Sequence, residues 1–291
     1  MSINTGIALA FVAMLCWGFG DFCIQKSTRK IGDLETLFFI TFFGAVVLAP
    51  FAYKNLPALF SGSWDTIIVI LVLCVVLFFA AILDFEALRV GKLAVVEPIW
   101  SFEVPGAALL AFFILGEKVT LFQIALIVAL LTGLVLVSLK RNTNFRKVLL
   151  ERGTILAFFG AVMMGAANFF MGWSARLSDP VMANFLSDVF IAVLTGLILI
   201  FTGRFRSTIR DIASNKSVLL QMSIADKAAW LAFAFAMSLA PIAIAVALSE
   251  SYIIVAVLLG LFINREKLQF HQKIGLILAI ASALTLAAVT I

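Results

Sequence analysis

The sequence predicts an all-α integral membrane protein whose ten transmembrane helices form two inverted five-helix repeats. Three observations lead to this fold class. The chain is 64% apolar and only 13% charged, whereas a soluble domain is nearer half apolar and a quarter charged. Apolar runs of membrane-spanning length follow one another along almost the whole chain, and the two halves of the sequence align with each other.

The predicted elements are ten apolar runs, each close to the length of about 17 to 25 residues that a helix needs to cross a bilayer. In chain order they are Ile7–Ile24, Thr36–Tyr53, Thr66–Leu83, Leu93–Leu115, Leu121–Leu139, Gly153–Trp173, Val181–Phe201, Val218–Leu239, Ile242–Ile263 and Ile274–Ile291. They show no apolar/polar alternation, and a continuous helix satisfies its own backbone in lipid, so helices are favoured over strands. The first run lacks a basic leader and a small-residue cleavage site, and we expect it to be a retained helix rather than a signal peptide.

An internal repeat relates the two halves. A shift of about 147 positions places the start of the sixth run on the first, and a shift of about 149 places the ninth on the fourth. The matched residues include Gly6, Gly18, Asp21 and Arg29 with Gly153, Gly165, Asn168 and Arg176, and Glu117, Lys118 and Gln123 with Glu266, Lys267 and Gln272. Since each half holds an odd number of helices, the second must enter from the opposite side, which makes an inverted repeat. The predicted domains are residues 1–140, a basic connection over 141–152, and residues 153–291.

The basic residues lie mostly in the connections between runs. Because the odd-numbered connections hold most of the 21 Lys and Arg residues, the positive-inside rule predicts that these connections are cytoplasmic and both termini outside. No segment is long enough for a nucleic-acid-binding module, so the net charge of +5 indicates topology and no nucleic-acid partner. The three cysteines lie in apolar runs and are predicted to be packing residues.

Acidic residues inside the runs are the candidate functional groups. Asp21, Glu97, Glu103, Asp188, Asp226 and Glu250 fall within the runs, against one basic residue, Lys227. A charge near the bilayer centre costs about 2.5–3.5 kcal/mol on insertion scales and normally faces a cavity or a partner. The acid surplus suits a site that binds protons or a cationic group. The predicted solute- or proton-binding residues are Asp226, Glu250, Asp21, Glu97, Ser101, Trp17, Trp100, Asn168, Trp230, Ser249 and Tyr252.

Several of these residues have a structural alternative. Asp226 and Glu250 are favoured because each lies deep in a long apolar run. Asp21 and Glu97 could instead lie near helix ends, and Asp188 could be a structural partner of Lys227. Glu103 lies off the face predicted for Glu97, so we expect a packing or lipid-edge position. The three tryptophans could form cavity walls or an interfacial belt.

The chain resembles the EamA-type ten-helix members of the drug/metabolite transporter superfamily over essentially its whole length. The residues that carry the resemblance are Trp17-Gly18, Glu97-Pro98, Leu115-Gly116-Glu117-Lys118, Asp226, Trp230, Ala240-Pro241, Ser249-Glu250-Ser251-Tyr252 and Arg265-Glu266-Lys267. The resemblance implies a secondary carrier or facilitator for metabolites, with a central cavity lined mainly by helices one, three, four, six, eight and nine.

Function is narrowed further by the motifs that the sequence lacks. We find no metal-ligand cluster, P-loop or Ser/His/acid constellation, so no cofactor is expected. The leading hypothesis is alternating-access transport of a small amino-acid-like, cationic or polar solute, with proton coupling as an option, by a monomer in a prokaryotic inner membrane. A membrane enzyme acting on a lipid-soluble substrate and a non-transporting membrane partner protein remain as alternatives.

Overall fold

In a computed structural model of the protein, residues 2–60, 63–91, 96, 99–138, 151–262 and 268–291 are described, and they form helices without strands. The helices are α1 (Ile3–Ile31), α2 (Asp33–Ala52), α3 (Leu56–Phe60), α4 (Trp64–Val90), α5 (Glu103–Leu115), α6 (Leu121–Ser138), α7 (Arg152–Leu177), α8 (Pro180–Phe201), α9 (Phe205–Ser214), α10 (Lys216–Leu239), α11 (Ile242–Ser249), a 3-10 turn (Glu250–Tyr252), α12 (Ile253–Phe262) and α13 (Phe270–Thr290).

Eight of these helices are long and apolar enough to cross a membrane. Two shorter apolar helical stretches, Glu103–Leu115 and Ile242–Val255, fall where the fourth and ninth runs were predicted. The predicted all-helical membrane fold is therefore confirmed, with eight candidate spans in the described part of the chain where ten were expected.

The ninth run is interrupted at Glu250–Tyr252, where α11 gives way to a 3-10 turn. Ser251 has φ −78° and ψ 16°, outside the helical region. Its hydroxyl donates to the carbonyl of Leu248 at 2.5 Å, and such a bond competes with the regular helical ladder. This break shortens the continuous helix.

Several helices are longer than the apolar runs that predicted them. Their helical backbone continues beyond the end of the run. The most consequential case is α4, which ends at Val90, whereas its run ends at Leu83. The extension places Asp84 on the membrane helix. The amphipathic helix α9 was predicted only as a loop.

Helix packing repeats across the two halves. Helix α1 packs against α10, and α7, the counterpart of α1, packs against α4, the counterpart of α10. Likewise α5 packs against α7 while α11 packs against α1, and α2 pairs with α8 and α6 with α13. The contact pattern maps onto itself when the halves exchange, as expected for two repeats around a pseudo-two-fold axis.

Small residues allow the closest helix approaches at matched positions. A Cβ atom added at Gly153 would lie 2.6 Å from the Cα of Gly91, and one added at Gly6 would lie 3.3 Å from the Cβ of Ala240. The first contact joins α7 to the residue after α4, and the second joins α1 to the residue after α10. Membrane helices associate through such small residues because lipid supplies no hydrophobic drive between them.

Candidate functional site

A cavity of about 110 Å³ lies among the helices of both halves. Eight of the predicted site residues line it: Trp17, Asp21, Trp100, Asn168, Asp226, Trp230, Glu250 and Tyr252. Glu97 lies outside the described residues. The cavity is small beside the 300–1,000 Å³ of a drug-sized ligand pocket, so its dimensions suit a small solute.

Two predicted residues, Ser101 and Ser249, are buried but are not among those that line the cavity. The hydroxyl of Ser249 lies 3.3 Å from the carbonyl of Ala10 and donates to it, so Ser249 joins α11 to α1. Residues 101–102 form a turn immediately before α5. Both were predicted from the repeat alignment, which sets Ser101 opposite Glu250 and Ser249 opposite Trp100, but Ser249 faces a neighbouring helix.

Glu103 corrects the sequence interpretation. We expected a packing or lipid-edge position, yet the side chain is buried and lines the cavity. The face predicted for Glu97 assumes one continuous helix through the fourth run, whereas α5 begins only at Glu103, after the turn at residues 101–102. The amide Nδ2 of Asn168 donates to Glu103 Oε2 at 3.0 Å, and this bond joins the two halves at the cavity.

Glu103 belongs to a cluster of acids, which we call the carboxyl cluster: Asp21, Asp84, Glu103 and Glu250. The carboxyl group of Glu103 interacts electrostatically with those of the other three. Asp84 was missed because its run ends one residue earlier. Gly160 lies opposite Asp84 and leaves space for its side chain, because a Cβ atom at position 160 would collide with Asp84 Oδ1.

A second charged group, on α8 and α10, contains the one basic side chain among the described residues that line the cavity. Lys227 Nζ lies 2.5 Å from Asp188 Oδ2, and both residues are buried. The structure thus contains the ion pair that was the structural alternative for Asp188. Asp226 interacts electrostatically with both members of the pair. Gly44 on α2 leaves the space that the pair occupies.

Aromatic rings form part of the cavity wall. The rings of Trp17 and Trp230 lie edge to face with centroids 5.4 Å apart, and Phe233 is 4.9 Å from Trp17. Trp17 and Trp100 are 7% and 5% exposed. Trp17, Trp100 and Trp230 therefore line the cavity, and the interfacial-belt alternative does not describe them. Edge-to-face pairs at these distances add rigidity to the wall.

The lining also extends beyond the helices that the resemblance implied. Helices α2 and α8, which correspond to runs two and seven, contribute Thr41, Asn184 and Ser187. These residues are short and polar, and their hydroxyl or amide groups bond to carbonyls of their own helix. Because these hydrogen bonds stay within one helix, no sequence pattern distinguishes Thr41, Asn184 and Ser187 from polar residues elsewhere in a helix. The sequence therefore did not identify them as lining residues.

Two arginines at equivalent positions of the repeats donate hydrogen bonds to carbonyl groups at helix C-termini beyond the cavity. Arg29 on α1 donates to the carbonyl of Gly91 at 2.7 Å, and its repeat counterpart Arg176 on α7 donates to the carbonyl of Ala240 at 2.8 Å. Arg176 also pairs with Glu117 at 2.5 Å, and Glu117 accepts from the amide of Ile242 at 2.9 Å. Charged donors at a helix C-terminus satisfy its last carbonyls.

No group of three or more His, Cys, Asp or Glu residues suited to holding a metal ion occurs in the part of the chain that the structure describes.

Comparison with known proteins supports the repeat and the fold. The model of the EamA-like transporter family matches twice, over residues 4–139 and 151–288. A solved structure titled "Crystal structure of protein" is similar in fold, with a TM-score of 0.76, 17% identity and coverage of 99% of each chain. No curated protein matches the sequence. The chain is thus an integral, multi-pass membrane protein that belongs to the EamA-like transporter family.

Proposed function

We propose that the protein is a secondary transporter or facilitator that moves a small metabolite across the membrane by alternating access. The observation that carries the proposal is the small cavity with acidic side chains, which is lined by residues of both family repeats. A buried polar site between repeats that exchange under a pseudo-two-fold relation is suited to opening alternately to either side.

The proposed architecture has ten spans in two inverted five-helix repeats. The short helix α5 and the interrupted pair α11 and α12 are the proposed cores of the fourth and ninth spans. Interrupted or short helices are tolerated in membranes where their freed backbone groups face a cavity. The exchange-symmetric contacts of Arg29 and Arg176 support this arrangement.

We further propose that transport is coupled to protons. Six acids line the cavity: Asp21, Asp84, Glu103, Asp188, Asp226 and Glu250. The single basic side chain among the described lining residues is already paired with Asp188. Like charges in a poorly solvated site cannot all remain ionised, so protons or cations must neutralise them. Asp226 and Glu250 are the proposed proton carriers.

The test is solute flux in proteoliposomes that contain only this protein, with and without an imposed pH gradient. Glu250→Gln and Asp226→Asn keep the side-chain shapes and delete the titration. We expect these variants to bind solute but to lose proton-driven accumulation. Asp65→Asn, an exposed carboxyl on α4, is the matched control and should behave as wild type.

Two results would contradict the proton assignment. If Glu250→Gln abolishes solute binding, Glu250 binds the solute directly instead of carrying a proton. If both variants bind and accumulate as wild type does, with unchanged pH dependence, the two acids are structural.

We also propose that the protein is a monomer in a prokaryotic inner membrane. Its proposed activity is transport rather than catalysis, and its proposed partners are a solute, protons and lipid.

A further inference from the structure

Resting on the proposed transport function, we infer that the transported solute is a small organic cation whose ammonium group binds between Asp84 and Glu103 of the carboxyl cluster. The inference narrows the solute from any small metabolite to amines that lack a carboxylate. It depends on the charge of the cavity, on the pairing of the basic side chain in its described lining, and on its aromatic wall.

The charge balance favours an ammonium group. Asp84 on α4 and Glu103 on α5 are both buried, and both helices pack against α7. Their carboxyl groups interact electrostatically with each other and with Glu250. An ammonium ion placed among them replaces mutual repulsion with attraction, and the low dielectric of the site strengthens that gain.

The same cavity offers little to a carboxylate. Lys227 is the basic side chain that the structure places in the described lining, and its ammonium group is 2.5 Å from Asp188. The amide of Asn168 already donates to Glu103. A zwitterionic amino acid would therefore bring a negative group into an acidic site without a free cation to receive it, which disfavours its binding.

The Asp84 side chain marks where the ammonium group binds. Asp84 is 6% exposed and Trp100 is 5% exposed, and both line the cavity. Trp100 interacts with the Asp84 carboxylate, while Asp84 Oδ1 is packed against Gly160 and has no hydrogen-bond partner among the described residues. Among the described residues, Asp84 has no basic side chain paired with it. An ammonium ion beside this carboxylate would supply the compensating charge that a buried carboxylate needs.

The aromatic wall suits the remainder of such a solute. Trp17 and Trp230 present ring edges and faces beside the carboxyl cluster. Aromatic faces attract organic cations through the ring quadrupole, and they also pack against alkyl groups. The cavity volume of about 110 Å³ restricts the alkyl part to a few carbons.

The experiment compares three probes of one shape: isobutylamine, valine, which adds a carboxylate to the same amine, and isobutanol, which removes the charge. Binding to the purified full-length protein is followed by tryptophan fluorescence and calorimetry, and flux by uptake into proteoliposomes. We expect isobutylamine to bind at least tenfold more tightly than valine or isobutanol and to be transported.

Variants connect that preference to the proposed position. Asp84→Asn and Glu103→Gln should each weaken isobutylamine binding about tenfold or more, while Asp65→Asn on the surface of α4 should not change it. Chromatographic profiles and melting temperatures of all variants show that the proteins are folded. If Asp84→Asn is unstable, Glu103→Gln tests the same site from α5.

The outcomes separate this inference from the transport proposal. Flux of valine equal to or above that of isobutylamine keeps the transporter and overturns the cation assignment. Unchanged isobutylamine binding in both variants also overturns it. If flux does not exceed that of protein-free liposomes for any of the three probes, or for a wider panel of amines, amino acids and sugars, the transport function itself is overturned.

Discussion

Lys227 and Asp188 form the tightest charged contact among the described cavity residues, with 2.5 Å between Nζ and Oδ2. Both side chains are less than one-tenth exposed. Removing one member of a buried pair leaves an uncompensated charge, whereas replacing both with apolar residues is often neutral. The pair therefore contributes to stability chiefly by keeping each charge matched.

We predict that Lys227→Met lowers the free energy of unfolding by about 3–5 kcal/mol. The double variant Lys227→Met/Asp188→Leu should recover most of that loss, because no isolated charge remains. Thermal unfolding of the detergent-solubilised protein measures both. A double variant as unstable as the single one would show that Lys227 matters through Asp226 or through packing.

The acids illustrate what could be predicted from sequence at single positions. The depth of Asp226 and Glu250 in apolar runs sufficed to place them in the cavity lining, because charge at that depth must find a polar environment. Asp84 and Glu103 were not identified as lining residues. Their positions depend on where a helix ends and where the next begins, and neighbouring helices fix those limits.

At the scale of helices, Arg176 joins three segments. Its guanidinium donates to the carbonyls of Met237 and Ala240 at 2.8 Å each, and it pairs with Glu117. Glu117 in turn caps α11 through the amide of Ile242. The end of α7, the end of α10 and the start of α11 are thus held by one arginine.

We expect Arg176→Gln to lower the free energy of unfolding by about 1.5–3 kcal/mol, the range for hydrogen bonds to charged groups. Glu117→Gln should have a smaller effect, because an amide oxygen still accepts from Ile242. Arg206→Gln, at an exposed position on α9, should stay within about 0.5 kcal/mol of wild type. Equal losses for Arg176→Gln and Arg206→Gln would contradict the linking role.

The helices themselves were the most predictable elements, because their apolar runs are long and uninterrupted. Two runs are exceptions: in the fourth a turn at residues 101–102 precedes α5, and in the ninth Ser251 forms a local side-chain bond to Leu248. A serine in an apolar run is compatible with an intact helix, so its sequence alone does not reveal the break. The repeat in the sequence predicts that each helix pair has a counterpart when the halves exchange. It does not predict which helices pack against each other.

For the whole molecule, orientation is a prediction that cysteine labelling can test. In a background without native cysteines, the test uses Ser207→Cys on α9, where Ser207 is half-buried, and Asn55→Cys just before α3, where Asn55 is exposed. The predicted topology puts the two positions on opposite sides of the membrane. The positive-inside rule predicts that an impermeant thiol reagent labels Asn55→Cys in intact cells and Ser207→Cys only after permeabilisation. The reverse pattern would invert the topology, placing both termini inside.

Alternating access requires that the two ends of the cavity separate in turn, and the close contacts at the helix ends provide a way to test it. A Cβ atom at Gly6 would lie 3.3 Å from the Cβ of Ala240, near the separation of about 3.5–4.5 Å that a disulfide spans. Gly6→Cys with Ala240→Cys should therefore form a bond between α1 and the end of α10. We predict that oxidation stops solute flux and that a reductant restores it, because the bond prevents one end from opening. The single-cysteine variants should transport in both conditions. Full flux through protein shown by gel mobility to be cross-linked would mean that α1 and the end of α10 need not separate for the solute to pass, and an alternating-access mechanism that opens this contact would have to be abandoned.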